Sequence, residues 1–290
     1  MATSGLRRYA ESACEAAKSA LAGRMASADL DGDRRCAHPE ANLVFTVPPG
    51  RWPVIASQLG GGMGGELSAD GRRRPKFCSV YSSSALAVNT FGPFDESRTL
   101  TIPGAGAYRG GIEFEAQRTA GVRGFKPNLD LVTEPDNADW LYAESKCLEY
   151  LRPHGTAFSD AFVAKADKLL TIETARYYAR FAEVKKDGRH LYELVDAAQL
   201  LKHFLAAKVA GADRRRVTLA YLFWEPADAP EHEVFAVHRH EADQLAAALV
   251  DDHVRLKPLS YRDLWSHWDH QPFLAEHVAA LRARYDVRLG

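Results

Sequence analysis

The chain has 290 residues, of which 46% are hydrophobic and 26% are charged, and its formal net charge is −1. This composition is that of a globular protein with a sizeable core, and the near-neutral charge argues against a protein that coats nucleic acid through a global positive field. The four cysteines form no CxxC pair, which predicts free thiols. The sequence also shows no apolar run of the ~20 residues that span a membrane and no signal-peptide pattern. We therefore expect a cytoplasmic protein.

Residues 1–60 are predicted to form a helical extension. Apolar residues at helical spacing predict an amphipathic helix over residues 5–22 that ends near Gly23. Residues 24–40 are polar and predict a loop. Within it, "DLDGD" (29–33) lacks the register of an EF-hand calcium loop, so we expect a solvated turn.

A glycine-rich stretch and a basic cluster follow. "GGGMGG" (60–65) lacks both the Walker ending and the dinucleotide-binding spacing, so it indicates a flexible loop or a close approach of the backbone. The basic cluster "GRRRPK" (71–76) is either a solvated loop or a surface that contacts phosphates. The sequence leaves both interpretations open.

The central elements are predicted from residue 82 onward. A serine-capped helix is expected over 82–90. Three short strands are expected near 110–117, 128–134 and 140–148, and their short connections predict an antiparallel meander.

The remaining elements are mostly helical. Helices are predicted over 159–186 and 191–209, a fully buried strand over 216–224, and further helices at 241–250, 259–268 and 272–285. The fold class is therefore α/β in one domain. Its core is expected over residues 61–225, with a helical insertion near 159–186 and a C-terminal helical extension, residues 226–290, packed on the core.

Charges inside the strand-like run "WLYAESKCLEY" (140–150) point to chemistry. Side-chain alternation places Glu144 and Lys146 on one face, and a hairpin can bring Asp130 opposite them, while Glu149 falls on the other face. Two close carboxylates resist joint ionisation. Mg²⁺ would relieve this conflict, and the set suits metal-assisted phosphodiester hydrolysis. The alternative is a solvated strand face.

Pro-Asn-Leu-Asp (127–130) followed by Glu-Ser-Lys (144–146) resembles the active-site signature of the PD-(D/E)XK nucleases, the restriction-endonuclease-like superfamily. The core of that family is a helix, three antiparallel strands, a helix and a strand, and the predicted elements match it over roughly residues 60–225. The chain departs from the pattern because Asn128 and Leu129 separate the proline from the aspartate. The wider run "ESKCLEYL" is similar to a subgroup of bacterial restriction-endonuclease-like proteins.

The resemblance implies a role for each matching position. Asp130, Glu144 and the backbone carbonyl of Ser145 would bind Mg²⁺, for which Mn²⁺ could substitute, and Lys146 would position or activate the attacking water. Gln199 on the later helix would lie near the site. The accessory candidates are Glu66, Glu113 and Lys202.

The resemblance further implies a nucleic-acid partner, with DNA as the expected substrate and a homodimer left open. The expected phosphate contacts are basic residues outside the motif: Arg72, Arg73, Arg74, Arg118, Arg123 and Lys126. The alternative function is a catalytically inactive module of the same fold that binds nucleic acid or protein. A zinc site at His238 and His240, on a strand, is a weaker hypothesis, because no HExxH spacing is present.

Overall fold

The computed structural model describes residues 2–48, 50–62, 65–69, 71, 73–119, 126–135, 138–152, 191–211 and 215–290. The helical insertion predicted near 159–186 lies outside the described residues, as do Arg72 and Arg123. None of the described helices is long and apolar enough to cross a membrane.

The strands form two sheets. The strands are β1 (Leu100–Ile102), β2 (Gly106–Tyr108), β3 (Glu113–Gln117), β4 (Asn128–Thr133), β5 (Trp140–Lys146), β6 (Val217–Phe223) and β7 (Val254–Ser260). The short antiparallel pair of β1 and β2 is followed by a five-stranded mixed sheet of order β3-β4-β5-β6-β7, in which β3, β4 and β5 are antiparallel and β6 and β7 run parallel to β5. The α/β class and the antiparallel meander are thus confirmed.

Strand β6 is buried along its whole length, as its apolar composition predicted, because it lies between two parallel neighbours. Strand β7 was not predicted. It exposes Arg255 and carries Pro258, which cannot donate to a ladder and suits an edge strand. The predicted C-terminal extension is therefore not purely helical, since it supplies a strand to the main sheet.

The helices surround this sheet. The described helices are α1 (Ala2–Ala22), α2 (Arg51–Gly61), α3 (Ser83–Phe91), α4 (Ala197–Gly211), α5 (Glu233–Ala248), α6 (Tyr261–Trp268) and α7 (Ala275–Tyr285). Helix α3 packs against β5, and the four helices from residue 197 onward pack on β6, β7 and one another. The predicted helices at 5–22 and 82–90 are confirmed, and Ser82 caps α3 by accepting the Ala85 N–H at 3.1 Å.

Helix α5 begins at Glu233, eight residues before the predicted start at residue 241. Two further helix starts differ from the prediction for reasons of capping. Helix α4 begins at Ala197 and not at residue 191, because the Asp196 carboxylate accepts the Gln199 N–H at 3.0 Å and so starts the helix there. Helix α6 begins at Tyr261, where Ser260 accepts the Asp263 N–H at 3.1 Å.

The histidine hypothesis is wrong about the local structure. His238 and His240 lie on helix α5 and not on a strand. The His238 ring is fully buried, lies 2.8 Å from the Tyr221 hydroxyl through Nε2 and stacks on Tyr150. These contacts make it a hydrogen-bonded core residue.

Candidate active site

Three carboxylates lie in a row across β3, β4 and β5. Leu131, which follows Asp130, pairs with the residue before Glu144 on one side and with the residue before Glu115 on the other. In antiparallel strands this register places Asp130 opposite both glutamates, and directly opposed residues point to the same face. We refer to Glu115, Asp130 and Glu144 as the acid row.

Asp130 occupies the centre of the acid row and is half-buried. Its Oδ2 accepts the backbone N–H of Ser145 at 2.6 Å, which fixes the carboxylate against β5. Burial, together with the charges of Glu144 and Glu115, raises the pKa of Asp130 well above its ordinary value, although Lys146 and the Ser145 N–H act in the opposite direction. Without a cation, the site therefore disfavours the ionised form of Asp130 relative to a carboxyl group in water.

Glu144 is buried and its two oxygens face different partners. Oε1 lies 2.6 Å from the Lys146 Nζ and accepts a hydrogen bond of 2.7 Å from the Gln199 Nε2. Oε2 lies 3.1 Å from the His203 Nδ1 without the geometry of a hydrogen bond. Burial alone would raise the pKa of Glu144, but Lys146 and His203 lower it to about 2, so this carboxylate is ionised.

Lys146 ends β5 with its side chain mostly covered. Burial would lower its pKa, but the carboxylates of Glu144, Glu149 and Asp130 raise it above the ordinary value. The ammonium therefore stays charged near neutral pH. Glu149 acts on it from outside the acid row, since its Oε2 accepts the Cys147 N–H at 2.7 Å. The hypothesis of a solvated strand face is wrong, because Glu144 is only 2% exposed.

Glu115 is the acid that sequence reasoning missed. It is 7% exposed, and its backbone has φ of +52°, a left-handed conformation that is unusual for a residue with a side chain. Its carboxylate accepts hydrogen bonds from the Ser84 Oγ at 3.3 Å and from the Asn128 Nδ2. A Cβ at Gly62 would lie 2.9 Å from the Glu115 Oε2, so the glycine-rich stretch does supply a close backbone approach, as predicted.

The two glutamates proposed as accessory residues differ in their relation to the acid row. Glu113 forms an ion pair of 2.8 Å with Arg118. Glu66 is half-buried, with its Oε1 4.0 Å from the Lys76 Nζ, and burial raises its pKa. Burial raises the pKa of Glu115 to about 7, and the charges of Glu66 and Glu144 act in the same direction. Glu66 thus reaches the acid row electrostatically.

Helix α4 brings two side chains to Glu144. Gln199 donates to it, at the site predicted for this residue, and His203, one turn further on, faces its other oxygen. Lys202 precedes His203 and is half-buried. The sequence signal for His203 was its spacing of four residues from Gln199, which places both on one face of a helix. The signal for Glu115 was its alternation with the apolar Phe114, which places Glu115 on the polar face of the strand.

The basic residues proposed for nucleic-acid contact differ in their surroundings. Arg118 is paired with Glu113 and with Glu134, both at 2.8 Å, so its charge is already balanced by two carboxylates. Arg74 lies 3.4 Å from Asp31. Arg73 and Lys126 are exposed.

The donors of the acid row fit a hard divalent cation. Mg²⁺ prefers carboxylate oxygens, and the raised pKa values of Asp130 and Glu115 reflect a crowding of negative charge that a cation would relieve. Among the described residues, no donor forms a hydrogen bond with the buried Glu144 Oε2. Within the described ranges, however, no three His, Cys, Asp or Glu side chains are already arranged as a metal centre. Glu144 Oε1 is instead paired with the Lys146 Nζ.

The metal-free protein is expected to lose stability as the pH rises from about 4.5 to about 7. The pKa of Glu115 is raised from 4.5 to about 7, so the folded chain binds more protons than the unfolded chain in this interval. The contribution of Glu115 to the free energy of unfolding is therefore complete below pH 4.5 and is lost as the pH rises through 7. Urea unfolding in EDTA at pH 5 and pH 8 measures this, and Glu115→Gln should reduce the difference by on the order of 2–3 kcal/mol. An unchanged pH dependence in Glu115→Gln contradicts the prediction.

The chain is similar to a known protein family. A family model described as Restriction Endonuclease associating with ARP matches residues 65–286. The matched region runs from before α3 to the end of α7 and contains the acid row, Lys146, Gln199 and His203. No curated protein and no solved structure matches the chain.

Proposed function

The chain belongs to the family Restriction Endonuclease associating with ARP, whose model covers more than half of it, and from this premise we propose that it is a Mg²⁺-dependent nuclease that hydrolyses phosphodiester bonds of DNA. The observation that carries the proposal is the meeting of Asp130, Glu144 and Lys146 on neighbouring strands, with the Lys146 Nζ 2.6 Å from Glu144. Burying charged groups costs free energy. The grouping of carboxylates with the mostly covered Lys146 ammonium on one sheet therefore favours a functional role over a stabilising one.

The order of elements supports membership of the PD-(D/E)XK superfamily. In the described part of the chain, helix α3 is followed by the short pair β1 and β2, and then by strands β3, β4 and β5, helix α4 and strand β6. Apart from that pair, this is the order of a helix, three antiparallel strands, a helix and a strand. Asp130 and the Glu144-Ser145-Lys146 run lie on the second and third of these strands. These are the positions that the sequence resemblance implies for the metal ligands and the lysine.

Asp130 and Glu144 would hold the cation, with Glu115 and the Ser145 carbonyl as further oxygen donors. A bound Mg²⁺ would lower the pKa of a coordinated water and offset negative charge on the phosphate. Mn²⁺, which accepts the same oxygen ligands, is expected to substitute for it. Metal binding is expected to release protons from the acid row, because the pKa values of Asp130 and Glu115 are raised without a cation.

The chain's own groups then act around this site. The charged Lys146 ammonium would orient the attacking water and stabilise the negative charge that develops on the phosphate. Gln199 and His203 fix the rotamer of Glu144 from helix α4. A homodimer would bring two acid rows to the two strands of a duplex.

A cleavage assay on supercoiled plasmid tests the proposed function. The purified chain is incubated with plasmid in Mg²⁺, in Mn²⁺ and in EDTA, and nicked or linear DNA is expected only with metal. Single-stranded DNA and RNA are run beside the plasmid to define the substrate. No cleavage of any of the three under any metal condition contradicts the proposal, and metal-independent DNA binding without cleavage would identify a binding module instead.

A further inference from the structure

A basic cavity of about 280 Å³ lies outside the acid row, between helix α1, the loop 31–35 and residues 73–81. It is lined by four cationic side chains and one carboxylate together with a tyrosine: Lys18, Arg34, Arg35, Arg73, Asp33 and Tyr81. We refer to this cavity as the basic pocket. None of these residues belongs to the acid row or donates a hydrogen bond to it.

The loop 31–35 is folded so that it presents Arg34 to the basic pocket. The Asp31 Oδ1 accepts the backbone N–H groups of Asp33 and Arg35, each at 2.9 Å, which closes a tight turn. Arg34 adopts φ of +59° within this turn, a conformation that disfavours residues with a Cβ. Its Nη2 then donates to the Ser19 Oγ of α1 at 3.2 Å.

Lys18 faces the same cavity from helix α1. It is only 9% exposed, pairs with Glu15, and its Nζ lies 5.6 Å from the centre of the Tyr81 ring. The same Glu15 carboxylate is also 3.6 Å from the Arg34 Nη1, so one acid is shared by two cations.

The other two arginines leave the basic pocket with surplus positive charge. Arg73 is 3.9 Å from Asp33, and its side chain is 72% exposed. Arg35 donates to the Arg74 carbonyl, and its buried Nε has no hydrogen-bond acceptor among the described residues. With Asp31, which lies 3.4 Å from Arg74, the carboxylates Glu15 and Asp33 make three acids around five cations, so two positive charges remain for an anion to balance.

We propose that the basic pocket is a phosphate-binding site and that its phosphate belongs to the backbone of the nucleic acid held at the acid row. The volume of about 280 Å³ is that of roughly nine water molecules at about 30 Å³ each, which is enough for a phosphate group with part of its sugar. The cationic lining suits an anion and not an apolar ligand.

The basic pocket and the acid row are joined by a short stretch of chain. Tyr81 lines the pocket, and Ser84, three residues later, donates to Glu115. Three residues of extended chain place the Cα atoms of Tyr81 and Ser84 at most about 11 Å apart, and the two side chains add to this separation. Because one DNA strand advances about 3.4 Å per nucleotide, a phosphate a few nucleotides from the bond being cleaved would lie within reach of the pocket. This source of the phosphate rests on the proposed function; a free phosphate-bearing molecule is the other source.

Binding measurements on the full chain in EDTA, where no cleavage is expected, test the site. The double variant Arg34→Asn, Arg73→Gln removes two charges, and asparagine tolerates the left-handed turn at residue 34. The matched control is the double variant Arg282→Gln, Arg288→Gln, which removes two charges outside the pocket. Fluorescence anisotropy with a 20-base-pair duplex should show about tenfold weaker binding by the pocket variant. The slope of the logarithm of the binding constant against the logarithm of the salt concentration should also be smaller in magnitude by about 0.9, the value of one lost phosphate contact.

Thermal unfolding with pyrophosphate distinguishes the two sources. Pyrophosphate should raise the melting temperature of the wild type and of the control but not of the pocket variant. Lost pyrophosphate protection with unchanged DNA affinity would also support the phosphate site, and would assign it to a free phosphate-bearing molecule. A pocket variant that binds both duplex and pyrophosphate like the wild type overturns the proposal. A wild type that binds DNA through the pocket but cleaves nothing would overturn only the proposed nuclease.

Discussion

Replacing Asp130 by asparagine is expected to abolish metal-dependent cleavage and, at the same time, to stabilise the metal-free protein. The carboxylate is the central oxygen donor of the acid row, so its loss should reduce cleavage by at least about 10²-fold. Because burial and two neighbouring glutamates raise the pKa of Asp130, its ionised form is unfavourable in the fold at pH 8. Asparagine removes that charge and keeps an oxygen that can accept the Ser145 N–H.

Plasmid nicking and urea unfolding at pH 8, each with and without Mg²⁺, measure both halves of this prediction. Stabilisation by Mg²⁺ should disappear in Asp130→Asn. Asp139→Asn makes the same chemical change at an exposed position just before β5 and should leave both measurements as in the wild type. Retained Mg²⁺ stabilisation in Asp130→Asn would rule out Asp130 as a metal ligand.

Lys146→Met is expected to lose cleavage while keeping Mg²⁺ binding. Removal of the ammonium takes away the positive charge that faces the water and phosphate, a loss of about 10²–10³-fold in rate. It also leaves the buried Glu144 carboxylate without its cation, which should destabilise the metal-free protein by up to about 3 kcal/mol, although Gln199 and His203 still contact it. Mg²⁺ should therefore stabilise this variant at least as strongly as the wild type.

Isothermal titration with Mg²⁺ and the nicking assay separate these two effects. The control Lys257→Met removes a half-buried lysine from β7 and should cleave normally. Wild-type cleavage by purified Lys146→Met would remove the lysine from the mechanism. The contrast with Asp130→Asn is diagnostic, because one variant should lose the metal and the other should keep it.

The predictable part of the site depended on one hairpin. Asp130 and Glu144 lie on consecutive strands with a short connection, so the sequence could indicate that they face each other. To predict the position of Glu115, the register between β3 and β4 would also have to be known. The left-handed backbone of this residue cannot be recognised from a strand-like sequence pattern. To predict that His203 faces Glu144, the rotation of helix α4 about its axis relative to β5 would have to be known. Periodicity alone does not give this rotation.

The elements that were missed have weak local signals. Helix α2 begins after Gly50, carries Pro53 in its first turn and ends in glycine, so its helical propensity is low. It forms because Ile55 and Leu59 are buried. Strand β7 mixes charges and a proline with its apolar residues, and only pairing with the fully buried β6 makes it a strand. In both cases tertiary packing outweighs propensity.

Arg284 connects helix α1, which precedes the region that the family model matches, to the rest of the fold. Its guanidinium is 7% exposed and donates to the Leu21 carbonyl of α1 at 2.9 Å as well as to Val80. The same helix places Cys14 and Ala17 in the core. The cooperative folding unit is therefore larger than residues 65–286. A recombinant fragment cut at residue 65 would leave a buried cation short of an acceptor and uncover apolar surface, and both changes favour aggregation.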